Sequence, residues 1–596
     1  MMRSVVLAGM CFLFYSVCCG QTRVEFVVSD LPDLKGKSVG IRGNTPPLSW
    51  ETSIPLTETE RSYSTSINFE DKESAIEFKF VIFSDDSNPE WEQTPNRVLM
   101  LNAEPLITSK HRWNIQQTID PSSLKKLSPD ELLADFELIK TLVLDVHPGT
   151  YRYNSAAAIE ANLSELRQAL SQPRKYGEAY LAMGKMMASL KCDHTTVGVY
   201  NQGFLINSII HEQPNKLPFT FKWIGDEMVI TRNASNEIRL AAGTVIRSIN
   251  GTNTSEIKRV LMDYVPSDGA TDWKRTYRLQ ATGYDFRLNA FDVLFPLAFP
   301  FDKGEVQIEF LSADGSALQS GTLKTMTREA RSEVLESRYE GFPKTRDDMW
   351  NFEILDNETA LLTLNSFGLS GWKGLTIDYK AYFKDIFRKL KKQKTQNLII
   401  DIRENNGGND EIAIELLKYL TNKSSQFNRE GRSRYLQFPE ALKPHVRTWG
   451  DNPWYFNLQP SNKTPTTDGY YIFEDDPAEK RRSKKDRFKG NLYLLISEAN
   501  SSLAYYMAYE FKTLGLGTLV GRTTGGNLND VNGGQILFLE LPNSGIEIDF
   551  PIIGQFSKTP QPNTGVNPDV EVFLTKEDIA AGRDPVLETA MGLIKN

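Results

Sequence analysis

Three short apolar runs in the C-terminal part of the chain constrain its fold more than any other feature. They are Leu361–Leu364, Asn397–Arg403 and Asn491–Ser497. Runs of this length are typical of parallel strands that are buried on both faces of a sheet. Helical patterns separate the three runs, so the sequence predicts an α/β core over about residues 350–590.

The rest of the 596 residues is too long to share one hydrophobic core with this region. Short strands punctuated by Pro, Asn and Asp clusters predict a β-sandwich over residues 21–118. A capping box and a helical spacing of apolar residues predict a helical cap subdomain over 127–200. Strands return over 217–330, and the basic, Pro-rich segment at about 424–488 is expected to be a surface insertion. The chain is therefore predicted to be multidomain.

The start of the chain has the pattern of a secretory signal peptide over residues 1–20. Arg3 precedes an apolar run, and small residues follow up to Gly20, after which we expect cleavage. Export to the periplasm or the extracellular space is the prediction, and lipid attachment at Cys18 or Cys19 is the alternative. Only Cys192 lies beyond this segment, so no disulfide framework is expected.

Charge and residue spacing argue against several classes of function. The chain has 76 acidic and 68 basic residues, a net charge of −8, and thus no basic excess for nucleic acid. The basic run at 480–485 is interpreted as a solvated loop. The histidines are scattered without metal-ligand spacing, so neither a metal nor another cofactor is expected. Beyond the signal peptide, no apolar run approaches the roughly 20 residues of a membrane helix.

A pair of serines lies where a buried strand meets a helix. The segment 491–527 is predicted to form a strand, a turn, a helix, a second strand and a glycine-rich loop. Ser501 and Ser502 stand at the predicted N-terminus of the helix, where free amides and the helix dipole suit an oxyanion. Taken alone, these serines fit ordinary helix capping as well as catalysis.

A second segment, Asp401–Gly408, follows another buried strand and ends in two glycines that allow a close backbone approach. Four segments carry a resemblance to a known family: the glycine segment, the serine segment, Val520–Gly525 and Gly565–Asp569. In this order along the chain they resemble the motifs of the tail-specific, or C-terminal processing, peptidases and their tricorn-like relatives. The resemblance implies a serine peptidase with a crotonase-like core. It implies Ser502 as the nucleophile, with Ser501 as the alternative, and oxyanion donors at the amides of Leu503 and of Gly407 or Gly408.

The general base is a separate question, because a serine hydroxyl is a poor nucleophile until a nearby group accepts its proton. Bacterial members of the family place a lysine where this chain has Asn527. The tricorn-like branch uses a histidine, and His194 matches its place. Two departures leave the orientation of the imidazole open: Asp193 stands where that branch has a serine, and Pro562 where it has a glutamate.

Two further resemblances concern the flanking domains. The stretch Gly243–Gly251 resembles the strand and turn of the PDZ-like domains of these peptidases, although a plain structural β-domain fits equally well. The N-terminal sandwich resembles starch-binding modules of carbohydrate-binding family twenty. That resemblance implies a glucan site at Trp50, Lys79 and Trp91, where indole faces would lie against sugar rings. The alternative is that both tryptophans belong to the sandwich core.

The sequence thus predicts an exported serine-type endopeptidase that acts on a polypeptide substrate through an acyl-enzyme. An α-glucan or another glycan is a further expected partner, through the N-terminal domain. The main alternative is a catalytically inactive protein of the same fold that binds a ligand or a glycan. A glycoside hydrolase is a weaker interpretation, because no pair of carboxylates stands in a recognisable frame.

Overall fold

The computed structural model describes residues 22–595 with gaps at 60–61, 71–74, 86–87, 93–95, 102–105, 114–118, 200, 283–288, 302–303, 312–314, 316, 341–346, 369–376, 424–428, 450–452, 462 and 474–483. The predicted signal peptide and most of the basic run at 480–485 therefore lie outside the described residues. The chain divides into two compact units, one ending at Ile119 and one beginning at Asp120. Within the described residues, no helix has both the length and the apolar character needed to cross a membrane.

The first unit is a β-sandwich, as the strand pattern predicts. One sheet has the order β4-β5-β1-β9, and the other has the order β3-β2-β6-β7 with β8 on β6. Alternate residues of β1 are fully buried because one face of each sheet forms the core. The strands are β1 (Thr22–Ser29), β2 (Ser38–Gly43), β3 (Ile54–Pro55), β4 (Thr57–Glu58), β5 (Ser62–Phe69), β6 (Ala75–Phe83), β7 (Glu90–Trp91), β8 (Arg97–Met100) and β9 (Leu106–Arg112).

The second unit begins with the predicted helices. Ser128 caps the first helix and forms a capping box with Glu131, as the sequence indicates. A π-helical turn over Leu142–Val146 extends this helix, and a second π-helical turn follows the short fourth helix. The elements are α1 (Pro129–Thr141), α2 (Ala156–Leu170), α3 (Tyr176–Ser189), β10 (Thr196–Val197) and α4 (Phe204–Ile206).

An antiparallel sheet follows, with the order β11-β12-β13-β15-β16 and β14 on β13. The motif Gly243–Gly251 forms β13 and its turn, in which Asn250 and Gly251 have positive φ angles. Three helices, α5, α6 and α7, lie between β14 and β15. The elements are β11 (Phe219–Ile224), β12 (Glu227–Asn233), β13 (Val245–Ile249), β14 (Thr252–Asn253), α5 (Thr254–Leu261), α6 (Asp272–Arg278), α7 (Ala290–Ala298), β15 (Glu305–Leu311), β16 (Leu318–Lys324) and α8 (Arg328–Arg338).

The C-terminal region contains the predicted α/β core and a further sheet. Its elements are β17 (Trp350–Ile354), β18 (Thr359–Leu364), α9 (Tyr379–Gln393), β19 (Asn397–Asp401), α10 (Asp410–Leu420), β20 (Arg429–Ser433), β21 (Val446–Arg447), β22 (Tyr471–Phe473), β23 (Asn491–Ile496), α11 (Ser502–Thr513), β24 (Thr518–Gly521), β25 (Gly534–Glu540), β26 (Glu547–Ser557), β27 (Val570–Glu571), α12 (Lys576–Ala581) and α13 (Pro585–Lys595). The core sheet has the order β17-β18-β19-β23-β24-β27, and all of its pairs except β17–β18 are parallel.

The three apolar runs are the central strands β18, β19 and β23 of this sheet. Because neighbouring parallel strands end at the same edge, the loops after β19 and β23 meet there. The register pairs Asp401 with Leu495, so both strands end at the same level. The sheet thereby brings the glycine loop and the serine turn together.

The segment at 424–488 is more than the expected surface insertion. It supplies β20, β21 and β22 to a second sheet with the order β21-β25-β26-β20-β22. The side chains of Tyr435, Phe438 and Tyr455 from this segment are buried. Burial of these aromatic residues outweighs the basic and Pro-rich composition that suggested a solvated loop. Strand β10, just after His194, pairs with β26 of this sheet and thereby anchors the histidine segment.

Candidate active site

The serine turn between β23 and α11 presents two different hydroxyl groups. Ser502, the first residue of α11, has a left-handed backbone with a φ of +50° and a half-buried side chain. Such a backbone costs a non-glycine residue free energy and is often found at functional sites. Ser501 is buried, and its hydroxyl lies 3.4 Å from the Asn406 carbonyl oxygen. Only Ser502 combines partial exposure with a strained backbone.

The glycine loop lies directly against this turn. A Cβ atom on Gly407 would stand 2.8 Å from the Cβ of Ser502, and one on Gly408 would stand 2.1 Å from the backbone of Phe367. Both glycines have positive φ angles, of +115° and +138°. The close approach therefore requires glycine at both positions. Asn500 links the two loops, because its side-chain amide donates to carbonyl oxygens of the glycine segment, those of Ile402 and Asn405.

Two of the three predicted oxyanion donors are available. The Gly407 amide donates to Asn405 Oδ1 at 2.8 Å. The amides of Gly408 and Leu503 donate to no acceptor among the described residues. The Leu503 amide belongs to the first turn of α11, where helix geometry provides no intrahelical acceptor. These two amides can therefore donate to an incoming oxyanion.

His194 lies in the turn between α3 and β10 and is half-buried. A Cβ on Gly533 would stand 3.0 Å from its Cε1 atom, so the imidazole packs on this glycine. In the part of the chain that the structure describes, Nδ1 has no hydrogen-bond partner and neither serine is hydrogen-bonded to the ring. Burial lowers the pKa of His194, and the Asp193 carboxylate opposes that shift. A neutral imidazole can accept a proton.

Asp193, which stands where the tricorn-like pattern has serine, is held by charged neighbours. Arg278 Nη2 lies 2.8 Å and Lys274 Nζ 4.0 Å from its carboxylate oxygens. Burial raises the pKa of this carboxyl, but Arg278 and Lys274 outweigh burial and lower it to about 2. The nearby Ser501 hydroxyl also lowers the pKa of Asp193. Ser501 is thus part of a buried polar network.

Lys274 is a residue that the sequence analysis missed. It is fully buried on α6, and its Nζ donates to Asn406 Oδ1 at 2.7 Å and to the Ala499 carbonyl at 2.6 Å. Since Nζ also faces Asp193, one cation contacts the glycine loop, the serine turn and the histidine segment. No local sequence signal distinguishes it from a surface lysine of a short helix.

Asp268 is a second missed residue. Its Oδ1 accepts the Asp193 amide at 3.0 Å, and its Oδ2 is buried without a partner among the described residues. Burial raises the pKa of this carboxyl to about 7. One of its oxygens lies within 4.8 Å of a His194 ring nitrogen and of Cys192 Sγ. Asp268 is therefore an acid beside the imidazole, in a segment that no motif singled out.

Asn527 and Asn563 support the Asp268 segment. Asn527 Nδ2 donates to the Asp268 carbonyl at 3.0 Å and to Asn563 Oδ1 at 2.6 Å. Asn563 Oδ1 also accepts the amide of Ala270. At the position where the Ser/Lys enzymes carry their base, this chain therefore has a residue that holds a neighbouring loop. Pro562 supplies no carboxylate at the place where the tricorn-like pattern has glutamate.

Two cavities adjoin these residues. The larger, of about 460 Å³, has His194, Ser501 and Gly407 in its wall, and most of the remaining wall is apolar. Its apolar lining includes Val265, Val293, Leu294, Met349 and Phe538. The smaller, of about 190 Å³, is lined by Ser502, Leu503 and Gly533 among others. Cavities of this kind accept side chains of a bound peptide.

The predicted sugar site of the N-terminal unit lies outside its core. The ring centroids of Trp50 and Trp91 are 6.2 Å apart, and Trp91 is 37 % exposed. The hydrophobic core of the sandwich includes Trp113 and neither of these tryptophans. Lys79 Nζ donates to the Glu92 carbonyl at 3.2 Å. The structure therefore favours a surface position over the core interpretation of Trp50 and Trp91.

Comparisons with known proteins agree with the resemblances to the processing peptidases and to the starch-binding modules. Residues 358–572 match the model of peptidase family S41, and residues 21–110 match the starch binding domain. No match was found among curated proteins.

Three solved structures illustrate the similarity. Mature CPAF complexed with lactacystin is 14% identical with a TM-score of 0.54, covering 78% of this chain and 97% of that chain. The photosystem II D1 C-terminal processing protease is 15% identical with a TM-score of 0.34, over 74% and 92%. A glucoamylase from Hypocrea jecorina is 18% identical with a TM-score of 0.15, over 16% and 18%. At these identities, the CPAF structure supports the fold alone.

Proposed function

We propose that the chain is an exported endopeptidase with Ser502 as nucleophile and His194 as general base. It is a serine peptidase, because residues 358–572 match the model of peptidase family S41. One observation carries the proposal. The strained Ser502 stands at the start of α11 directly against Gly407 of the glycine loop, and the amides of Leu503 and Gly408 have no acceptor among the described residues. That arrangement suits attack on a carbonyl carbon and stabilisation of the resulting oxyanion.

The choice of Ser502 over Ser501 rests on their surroundings. The Ser501 hydroxyl lies 3.4 Å from the Asn406 carbonyl oxygen, and only 2% of the residue is exposed. Ser502 lines the smaller cavity, as does Gly533, on which the His194 ring packs. Gly533 thus links the cavity that Ser502 lines to the imidazole, which itself lines the larger cavity.

The reaction then follows the order of acyl transfer. His194 accepts the Ser502 proton as Oγ bonds to the scissile carbonyl carbon, and the amides of Leu503 and Gly408 hold the oxyanion. The protonated imidazole next donates that proton to the leaving amine as the peptide bond breaks. Water, deprotonated by the same imidazole, hydrolyses the acyl-enzyme and restores the serine. Catalytic hydrogen bonds of this type often tighten only when substrate is bound.

The acid behind the imidazole is assigned to Asp268. Asp193 forms ion pairs with Arg278 and Lys274, whereas Asp268 forms no ion pair among the described residues and lies beside the ring. A short movement of the imidazole would bring its N–H to this carboxylate. Such a contact would set the tautomer that leaves the other nitrogen free to accept the serine proton.

The N-terminal unit is proposed to bind an α-glucan and so to hold the peptidase near its substrate. The match to the starch binding domain and the surface position of Trp50 and Trp91 support this role. Export rests on the signal peptide pattern of residues 1–20, which predicts a periplasmic or extracellular protein.

The proposal is tested by labelling with a fluorophosphonate probe and by hydrolysis of a casein substrate. We expect the wild-type chain to be labelled and Ser502→Ala to lose both labelling and hydrolysis. Ser501→Ala, the matched control, should still be labelled because its hydroxyl is not the attacking group. Full activity of Ser502→Ala would overturn the assignment of the nucleophile, and a wild-type chain inert to probe and substrate would favour the inactive binding protein.

A further inference from the structure

Three side chains with metal-ligand chemistry meet beside the proposed general base. The Sγ of Cys192, a ring nitrogen of His194 and a carboxylate oxygen of Asp268 all lie within 4.8 Å of one another. Cys192 and Asp268 are buried, at 0% and 1% exposure. We call these three residues the Cys-His-Asp cluster.

The polar atoms of the cluster have few partners. In the described part of the chain, His194 Nδ1 and Asp268 Oδ2 are buried and have no hydrogen-bond partner. Cys192 Sγ has a weak contact, 3.7 Å to the Asn532 carbonyl oxygen. Because buried polar atoms in native proteins nearly always have partners, several unsatisfied atoms at one place indicate a bound ion or water.

We propose that the Cys-His-Asp cluster binds Zn²⁺. Thiolate, imidazole and carboxylate are the ligands that zinc prefers, and three such ligands leave a fourth tetrahedral position for water. Ligand atoms about 2.0–2.3 Å from a tetrahedral zinc lie roughly 3.3–3.8 Å from one another. The three ligand atoms of the cluster already lie within 4.8 Å of one another. Side-chain rotations that move them by about 1 Å bring them to these distances. The thiolate and the carboxylate together balance the two charges of the ion.

The consequence for catalysis rests on the proposed function. When zinc binds the ring nitrogen beside Asp268, the proton of the neutral imidazole is on the other nitrogen, which then cannot accept the serine proton. Zinc therefore acts as a reversible inhibitor that holds the peptidase inactive until the ion is withdrawn. Binding itself does not depend on the peptidase proposal and can be measured without a substrate.

Binding is measured by titrating the full chain with Zn²⁺ in competition with a chromophoric zinc chelator. We expect Cys192→Ser and Asp268→Asn each to lower the affinity of the chain for Zn²⁺, measured against the chelator, by about 10-fold or more. Cys192→Ser retains every other cysteine of the chain, so it isolates this thiol. Asp272→Asn is the matched control for Asp268→Asn, because Asp272 lies nearby but its side chain is 68 % exposed. Equal affinity in wild type and Cys192→Ser would overturn the proposal.

A second measurement does not depend on the folding of any variant. Co²⁺ replaces Zn²⁺ in such sites, and a thiolate ligand gives a charge-transfer absorption band that oxygen and nitrogen ligands do not. We expect the band in the wild-type chain and its loss when Zn²⁺ is added. Stoichiometric Co²⁺ binding without the band would overturn the proposal.

Inhibition is then tested with the casein substrate. Zn²⁺ should abolish hydrolysis at the concentration that fills the site, and a chelator should restore it. Zinc bound at the cluster without inhibition would leave the site intact and would count against His194 as the base. An active peptidase with no zinc site would instead leave the proposed function intact and overturn only this inference.

Discussion

The two halves of the candidate active site are held in different ways. The serine half, residues 401–408 and 497–503, is positioned by the backbone of adjacent parallel strands, by two glycines and by the amide of Asn500. The histidine half, residues 191–195 and 266–278, is positioned by buried charges, with Lys274 and Arg278 around Asp193. Strand register is a property of the whole sheet, whereas a buried ion network depends on each of its members. The serine half should therefore be sensitive to added atoms, and the histidine half to lost charges.

The largest effect is expected for Gly408→Ala, in the serine half. The new Cβ would lie 2.1 Å from the backbone of Phe367 and Gly368, so the glycine loop must move and misplace an oxyanion donor. We expect kcat/KM to fall about 100-fold or more. Gly592→Ala in α13 is the control, because no atom lies within 4 Å of the added carbon. Unchanged activity in Gly408→Ala would show that this loop does not hold the oxyanion.

The next effect is expected for Lys274→Met, in the histidine half. The substitution removes a buried cation that bonds to Asn406 and Ala499 and faces Asp193. Loss of one partner from a buried charge network should cost about 3 kcal/mol in the free energy of unfolding, measured with denaturant. For Arg275→Met on the same helix, whose ion-pair partner is exposed, we expect about 1 kcal/mol or less. Similar values for both variants would contradict the difference between the halves.

The third effect, smaller than the first two, is on substrate preference. It concerns the larger cavity, because the histidine half forms part of its wall. Its apolar wall favours a large apolar side chain next to the scissile bond, because burial of a charge there is costly. For a peptide series that differs only at this position, we expect kcat/KM to be at least about 10-fold higher for Phe than for Asp. Val293→Thr, which keeps the shape but adds a hydroxyl to the wall, should reduce this ratio. An equal rate for all peptides would exclude the cavity as a specificity site.

The smallest effect on the peptidase, and a measurable one on sugar binding, is expected for Trp91→Ala in the N-terminal unit. Loss of an exposed indole face should weaken binding to soluble starch by about 10-fold. Hydrolysis of a short peptide should not change, because Trp91 belongs to the other compact unit. Trp454→Ala removes a similarly exposed tryptophan from the second unit and should leave starch binding intact. Equal starch binding by Trp91→Ala would contradict the proposed glucan site.

The serine half was predictable because its elements are local. Strands β19 and β23 are continuous apolar runs, and each is followed directly by its loop, so both loops could be placed from short patterns. The family resemblance then singled out Gly407, Gly408 and Ser502 within them. The segment at 424–488 could not be predicted in this way. Its strands pair with β26, which lies far along the chain, and its buried aromatic residues stand among basic and Pro-rich stretches.

The sequence by itself determined the order of the elements, the parallel α/β core, the residues at the strand ends and the candidate histidine. The elements and strand ends depend on hydrophobic periodicity, glycine and capping residues, which act over a few neighbouring positions. The candidate histidine came instead from the resemblance to the tricorn-like peptidases. Only the tertiary structure decided that Lys274 and Asp268 belong to the site and that Cys192, His194 and Asp268 meet. The reason is physical: a buried lysine or aspartate is recognised by its partners, and these partners come together only when distant segments pack.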